Sequence, residues 1–316
     1  MGSSKSAAPL VGVMPVDQSA TLTRRITTLS VLMSSVLTLV KLLAWLGGGS
    51  VALLASLADS ALDVVAASAT FVAIRVAISP PDQEHRFGHG KAEAFASLLQ
   101  AGLVFASAAL ITREAVVRLI WPEPVKAEGW GLAVMGLSLV LTLALITLQS
   151  RVLARASSVA VSGDREHYAA DLASNAAALI GIAASALLRE PRWDAAAGLF
   201  VALWLIRGAI KVLRDAADHL LDHELGEPER KAIVEAVLAD RRIRNVHELR
   251  TRASGPRIHI QMHVDLDPDQ TLDEAHQIVE AAEQRVLTAF PAADLLIHPD
   301  PEGRAEPHGP FGQETV

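Results

Sequence analysis

The chain of 316 residues is 51% hydrophobic and only 20% charged, with a mean hydropathy of +0.33, too apolar for an ordinary soluble domain and too rich in non-polar runs for a disordered chain. Its net charge of -7 is uneven: residues 1–213 hold 17 Lys and Arg against 14 Asp and Glu, while residues 214–316 hold 11 against 21, an acidic tail that argues against nucleic acid as a partner. Cysteine is absent, which excludes disulfides, thiolate metal sites and cysteine nucleophiles and leaves His, Asp and Glu to hold any metal.

Runs of about 20 apolar residues, the length that crosses a ~30 Å hydrocarbon core, centre near Val36, Val65, Phe105, Leu139, Ile180 and Leu203. The first starts at Ile26, after Arg24 and Arg25, and it is too long for a cleaved signal peptide and lacks its small-residue cut site. Six spans leave both termini on one side. That side carries Lys5, Arg24, Arg25, Arg86, Lys91, Arg151, Arg155, Arg165 and Arg214, against Lys126, Arg189 and Arg192 opposite, so both ends are expected in the cytoplasm. Small residues at 66–69 and 176–178 let helix backbones approach closely in lipid. The expectation is an α-helical membrane protein, with a cytoplasmic segment at 1–25 and a six-helix transmembrane bundle at 26–213.

Charges interrupt these runs. Asp59 and Asp63 stand at i and i+4 in the second span, on one helical face. Each ionised Asp at a helix centre costs about 2.5 to 3.5 kcal/mol on insertion scales, so the pair needs partners, protons or a cation. Between spans two and three, Pro80 and Pro81 end the helix, and Asp82, His85 and His89 follow in a Gly-containing loop. They form either a surface metal cluster or two solvated histidines beside an acid. His167 and Asp171 repeat the i, i+4 spacing at the start of the fifth span, with Asn175 one turn further on. Two Asp on one helix and a His and an Asp on another suit a tetrahedral divalent site; the alternative is protonated acids that hydrogen-bond helices together. No phosphate-binding loop and no activated nucleophile appear, so neither ATP nor enzymatic catalysis is expected.

After residue 213 the pattern becomes that of a soluble domain. The Glu-Pro-Glu-Arg run at 227–230 starts a helix, which ends near Ala239. Residues 246–252 and 258–266 read as strands joined by Ser-Gly-Pro, and in the second Ile258, Ile260, Met262, Val264 and Leu266 alternate with polar residues. A helix at 272–290 and a strand at 295–298 complete an αββαβ, ferredoxin-like α+β domain over 214–300, followed by a flexible tail at 301–316. His263 shares the polar face of its strand with His259 and Gln261, and His298 shares a face with Asp300. These and His247 either converge on a metal or decorate a wet sheet surface.

Three motifs, DSALD at 59–63, HRFGHGKAE at 85–93 and HYAAD at 167–171, resemble those of the cation diffusion facilitators, and the likeness runs over nearly the whole chain. It implies a homodimeric, multi-pass secondary transporter of the bacterial zinc and ferrous-iron efflux branch, placed in the inner membrane and exporting divalent metal against protons. By this resemblance Asp59, Asp63, His167 and Asp171 hold the transported ion, and the Asp-Asp plus His-Asp set is similar to that of the zinc and cadmium group. The same resemblance makes Asp82, His85 and His89 a loop zinc site and Lys91 with Asp222 a dimer interlock. It makes His247, His263, His276, His298 and Asp300 a regulatory two-metal site at the cytoplasmic dimer interface. Glu166, where an apolar gate residue is typical, and Pro299, between two ligands, depart from the family's pattern.

One imidazole among carboxylates favours zinc over harder ions. Histidine titrates between pH 5 and 8 and clustered carboxylates raise one another's pKa, so protons and metal compete for such a site. Zinc as transported and regulatory ion, protons as counter-ion and no nucleotide are therefore expected. Two rivals stand beside antiport: a metal-gated channel without proton coupling, and a membrane metal receptor that transports nothing.

Overall fold

The computed structural model describes residues 11–48, 51–121, 129–188 and 192–304. Lys5, Lys126, Arg189 and the tail beyond residue 304 lie outside them. Six long helices come first: α1 (Val16–Gly48), α2 (Val51–Ala77), α3 (Ala92–Ile120), α4 (Gly129–Leu153), α5 (Val159–Leu188) and α6 (Arg192–Leu220). Among the described residues, five of them, all but α5, are long and apolar enough to cross a membrane. Helix α5 has the length, at 30 residues, but Asp164, Arg165, Glu166, His167 and Asp171 break its apolar run. Asp164, His167 and Tyr168 are buried inside the bundle, while Leu32, Leu39, Val72, Leu110, Val140 and Phe200 of the other helices face outward. Polar groups inside and apolar groups outside is the arrangement a lipid solvent requires.

Helix α1 begins at Val16 rather than Ile26. Arg24 and Arg25 therefore ride on exposed turns of the helix, while Thr23, Ile26 and Thr27 are buried. Close packing rests on small residues. A Cβ on Gly163 of α5 would lie 3.3 Å from Ser97 Cα of α3, and Ala94, Ala101, Ala108, Ala170, Ala202 and Ala209 are almost fully buried. Glu93, fully buried at the start of α3, accepts a hydrogen bond from Ser158 Oγ at 2.6 Å and one from Ala160 N at 3.4 Å. Its carboxyl thus caps the positive end of α5.

The C-terminal domain runs α7 (Glu227–Leu238), β1 (Asn245–Ser254), β2 (Arg257–Leu266), α8 (Leu272–Ala289) and β3 (Ala293–Pro301), the αββαβ order read from the sequence. The sheet order is β1-β2-β3, with β1 and β2 antiparallel and β2 and β3 parallel, because α8 carries the chain back across one face. Strand β3 extends beyond the expected 295–298 and takes Pro299 and Pro301 into the ladder. Proline lacks a donor but is tolerated at an edge, and β3 is one. Ile258, Ile260, Met262, Val264 and Leu266 pack with Ile233, Val237, Ile278, Val286 and Phe290 into one core. Thr271 and Glu274 close a reciprocal capping box at the start of α8. The opposite face of the sheet carries the histidines.

Candidate metal centres

Helices α2 and α5 bring together three of the four expected intramembrane ligands. Donor atoms of Asp63, His167 and Asp171 lie within 4.8 Å of one another: His167 Nε2 is 3.2 Å from Asp63 Oδ1 and 3.8 Å from Asp171 Oδ2. His167 Nδ1 and Asp171 Oδ2 are buried without a hydrogen-bond partner, and an uncompensated polar atom in such a place is costly. A cation among these groups would satisfy them. Asp59, one turn before Asp63, lies outside the trio and is exposed.

Near it stands a residue the sequence reading passes over, Lys41 of α1. Its Nζ donates to Ser60 Oγ, next to Asp59, at 2.6 Å. A lysine inside an apolar run is itself a functional signal. Glu166, at the resembled gate, is neutralised by Arg165 at 2.7 Å.

The loop trio also assembles. Asp82 Oδ1 accepts from Glu84 N at 2.9 Å and His85 N at 2.6 Å, forming a local turn. His85 Nδ1 and His89 Nε2 each sit 3.3 Å from the Asp82 carboxylate. The backbone N–H of His85, above all, holds the Asp82 carboxyl below its ordinary value, so the loop keeps an anion between two imidazoles. His89 Nδ1 is buried with no partner.

Phe87, inside the same loop, lies under the Arg252 guanidinium at 5.0 Å and edge-on to His259 at 5.7 Å. The loop therefore rests on the C-terminal domain. Beside it Lys91 Nζ is 2.9 Å from Asp222 Oδ1, and Arg252 Nη1 adds a second contact to Asp222 Oδ2 at 3.0 Å, both within one chain. Burial pushes the Asp222 carboxyl up, but hydrogen bonds from Lys91 and Arg252 outweigh it and leave it below its ordinary value.

In the C-terminal sheet, His247 of β1 pairs with His263 of β2, which pairs with His298 of β3. Donor atoms of His247, His263 and Asp300 lie within 4.8 Å of one another. His263 Nδ1 is 2.8 Å, and His247 Nε2 3.4 Å, from Asp300 Oδ2, and His298 Nε2 is 3.3 Å from Asp300 Oδ1. Asp265 joins them, 3.3 Å from His247 Nε2; two residues past His263 on the same strand face, it was open to detection by the period of two. Both ring nitrogens of His247 and Asp265 Oδ1 are buried without hydrogen-bond partners. His276 does not join: it is exposed on α8 and sits 3.6 Å from Glu280. Glu248 approaches His263 Nε2 at 4.0 Å from a β-bulge, with φ at 49°.

The description of a cation efflux transmembrane domain matches residues 27–221, and that of a cation efflux protein cytoplasmic domain matches residues 225–302. The cation-efflux pump FieF of Cronobacter sakazakii is 39% identical over 270 residues, 85% of this chain and 90% of that protein. FieF of Shewanella oneidensis is 42% identical over 265 residues, 83% of this chain and 88% of its own. A solved chain of CzrB in its Zn form, 31% identical, covers 27% of this chain and 99% of its own length at a TM-score of 0.25, too low to support a structural argument.

Proposed function

The chain belongs to the cation efflux family, and from that premise we propose that it exports zinc from the cytoplasm in exchange for protons, as a homodimer in a bacterial inner membrane with both termini inside. The observation that carries this reading is the convergence of Asp63, His167 and Asp171 from two helices within the bundle. Asp59, one turn from Asp63 and outside the trio, is drawn in as the fourth ligand when the ion binds. One imidazole with carboxylates suits zinc and cadmium better than magnesium or manganese, and ferrous iron fits less selectively. A divalent ion can enter only as His167 and the clustered carboxyls give up protons, so protons supplied from outside drive the ion off. Transport of this kind is ion exchange, not bond-making chemistry, which agrees with relatives named as pumps and not as enzymes.

In the same reading residues 1–25 form a cytoplasmic segment, 26–213 the moving bundle, 214–300 the zinc-sensing domain and 301–316 a tail. Asp82, His85 and His89 take a zinc ion in the loop. His247, His263, His298 and Asp300 take regulatory zinc, with His276 supplied through the second subunit, and Lys91 with Asp222 holds the halves together. The test is zinc flux in proteoliposomes under an imposed pH gradient, comparing wild type with Asp63→Ala and Asp171→Ala. Flux that follows the gradient in wild type and vanishes in both variants is the expected result. Flux indifferent to the gradient identifies a channel, and no flux with zinc still bound by the cytoplasmic domain identifies a receptor.

A further inference from the structure

Besides Glu93, which caps α5, a second buried carboxylate within the bundle belongs to none of the three clusters. Asp164 is 1% exposed and stands on α5 one turn before His167. Its Oδ1 accepts from Gln100 Nε2 of α3 at 3.2 Å and its Oδ2 from Gln149 Nε2 of α4 at 2.8 Å. The same amide nitrogens reach further: Gln100 donates to Thr70 Oγ1 of α2 at 3.0 Å and to the Ala66 carbonyl at 3.3 Å, and Gln149 donates to Ser30 Oγ of α1 at 3.3 Å. Five helices thus meet at one carboxyl group. Both glutamine Oε1 atoms are buried without a hydrogen-bond partner, so the amides are oriented by the acid and not by each other.

The ionisable groups that act on Asp164 are Asp63 of α2 and, on its own helix, His167 and Tyr168; α1, α3 and α4 present Ser30, Gln100 and Gln149. No Lys or Arg among the described residues is paired with it. The group is therefore held by neutral donors, beside a cluster in which a dication and protons replace one another each time a metal enters or leaves. That combination suits a proton store better than a structural ion pair, which would have a cation opposite.

We propose that Asp164 is a proton-carrying residue of the transport cycle, distinct from the metal ligands, releasing its proton when a divalent ion occupies Asp63, His167 and Asp171 and regaining it when the ion leaves. A dication that brings more charge than the protons it displaces favours the ionised carboxylate, and its departure favours the protonated one. Gln100 and Gln149 keep the anion hydrogen-bonded while it lasts. The proposal rests on the proton-exchange reading.

The experiment uses the purified full-length protein, with zinc as the probe. Zinc affinity is measured against pH by chelator competition, and proton release on zinc addition is followed in weak buffer. In wild type the pH slope of log Kd equals the number of protons released. Asp164→Asn, which keeps shape and hydrogen bonding, should reduce both quantities by up to about one proton per zinc, and Asp164→Glu should restore them. Gln149→Leu, which removes one donor to the anion, should move the pH at which the slope changes, and it serves if Asp164→Asn does not fold. A purely structural role would alter affinity or yield but not the slope. Unchanged slope and release in the variants, with wild type coupled, overturn this inference alone. A wild type that releases no protons overturns the exchange reading and this inference with it.

Discussion

The intramembrane and cytoplasmic clusters use the same donor types on different scaffolds, and the scaffold sets what each can do. Asp63, His167 and Asp171 come from α2 and α5, helices whose backbone bonds are all internal, so the two can slide or tilt while each keeps its backbone hydrogen bonds. His247, His263 and His298 sit opposite one another on three strands zippered by a shared ladder, and they cannot part without breaking it. The first site can be pulled open. The second persists.

The strongest way to break the comparison is to remove a ligand from each site in turn. Asp63→Ala or His167→Ala should lower zinc flux by at least about 100-fold, because a dication at membrane depth loses coordination it cannot replace. Zinc binding by the cytoplasmic domain should survive, measured by equilibrium dialysis on the full chain. His263→Ala or Asp300→Ala should reverse the pattern: flux falls only a few-fold, while the thermal stabilisation zinc confers, about 2.7 kcal/mol at 100 times Kd, disappears. Equal loss of flux from both sets would mean that the two sites are not separable in function.

Legibility from the sequence follows the same divide. Strand alternation at Ile258, Ile260, Met262, Val264 and Leu266 exposed the core face directly, and all five are buried. Strand β3 runs past the expected 298 through Pro299 and Pro301, where a residue without a donor is tolerated because the strand is an edge. The i, i+4 pairs on α2 and α5 were visible, since helical spacing is local, but spacing cannot say which pair members face each other, and Asp59 stands outside the trio. Lys41 and Asp164 carry charge in plain view. Their meaning lies in Ser60, Gln100 and Gln149, partners brought near only by packing.

A smaller effect tests the seam between the two regions. Gly90, next to His89, lies so close to the β1–β2 turn that a Cβ would sit 2.1 Å from the Ser254 carbonyl oxygen. Gly90→Ala should push the loop off the sheet at a cost of about 1–3 kcal/mol and reduce flux without altering zinc affinity in either cluster. Asp222→Asn, which weakens the contacts to Lys91 and Arg252, should do less, below about 1 kcal/mol for each partly exposed pair. Flux in proteoliposomes with parallel thermal melts separates these from ligand variants. A Gly90→Ala protein with wild-type flux would show that the seam carries no motion.

The smallest effect concerns His259, a histidine that lies between the regions without belonging to a cluster. Burial, then the Arg252 guanidinium beside it, pushes its pKa below the ordinary 6.5, and Asp294 at 3.0 Å only partly opposes them. A histidine whose folded value is depressed favours the neutral form, so its contribution to stability is complete above the unfolded value and fades as pH falls below 6.5 toward the folded one. Metal-free protein should therefore melt at a lower temperature as pH is taken from 7.5 to about 5.5, with part of that fall traceable to this ring. His259→Phe keeps a ring edge-on to Phe87 and removes the titration, so the variant should lose less on acidification than wild type. His259→Phe leaves every other side chain in place, which makes the difference between the two melting curves, and not either curve alone, the measured quantity. Identical curves would mean that the ring charges without disturbing the contact between Phe87 and the sheet, and that the seam depends on the Asp222 contacts instead.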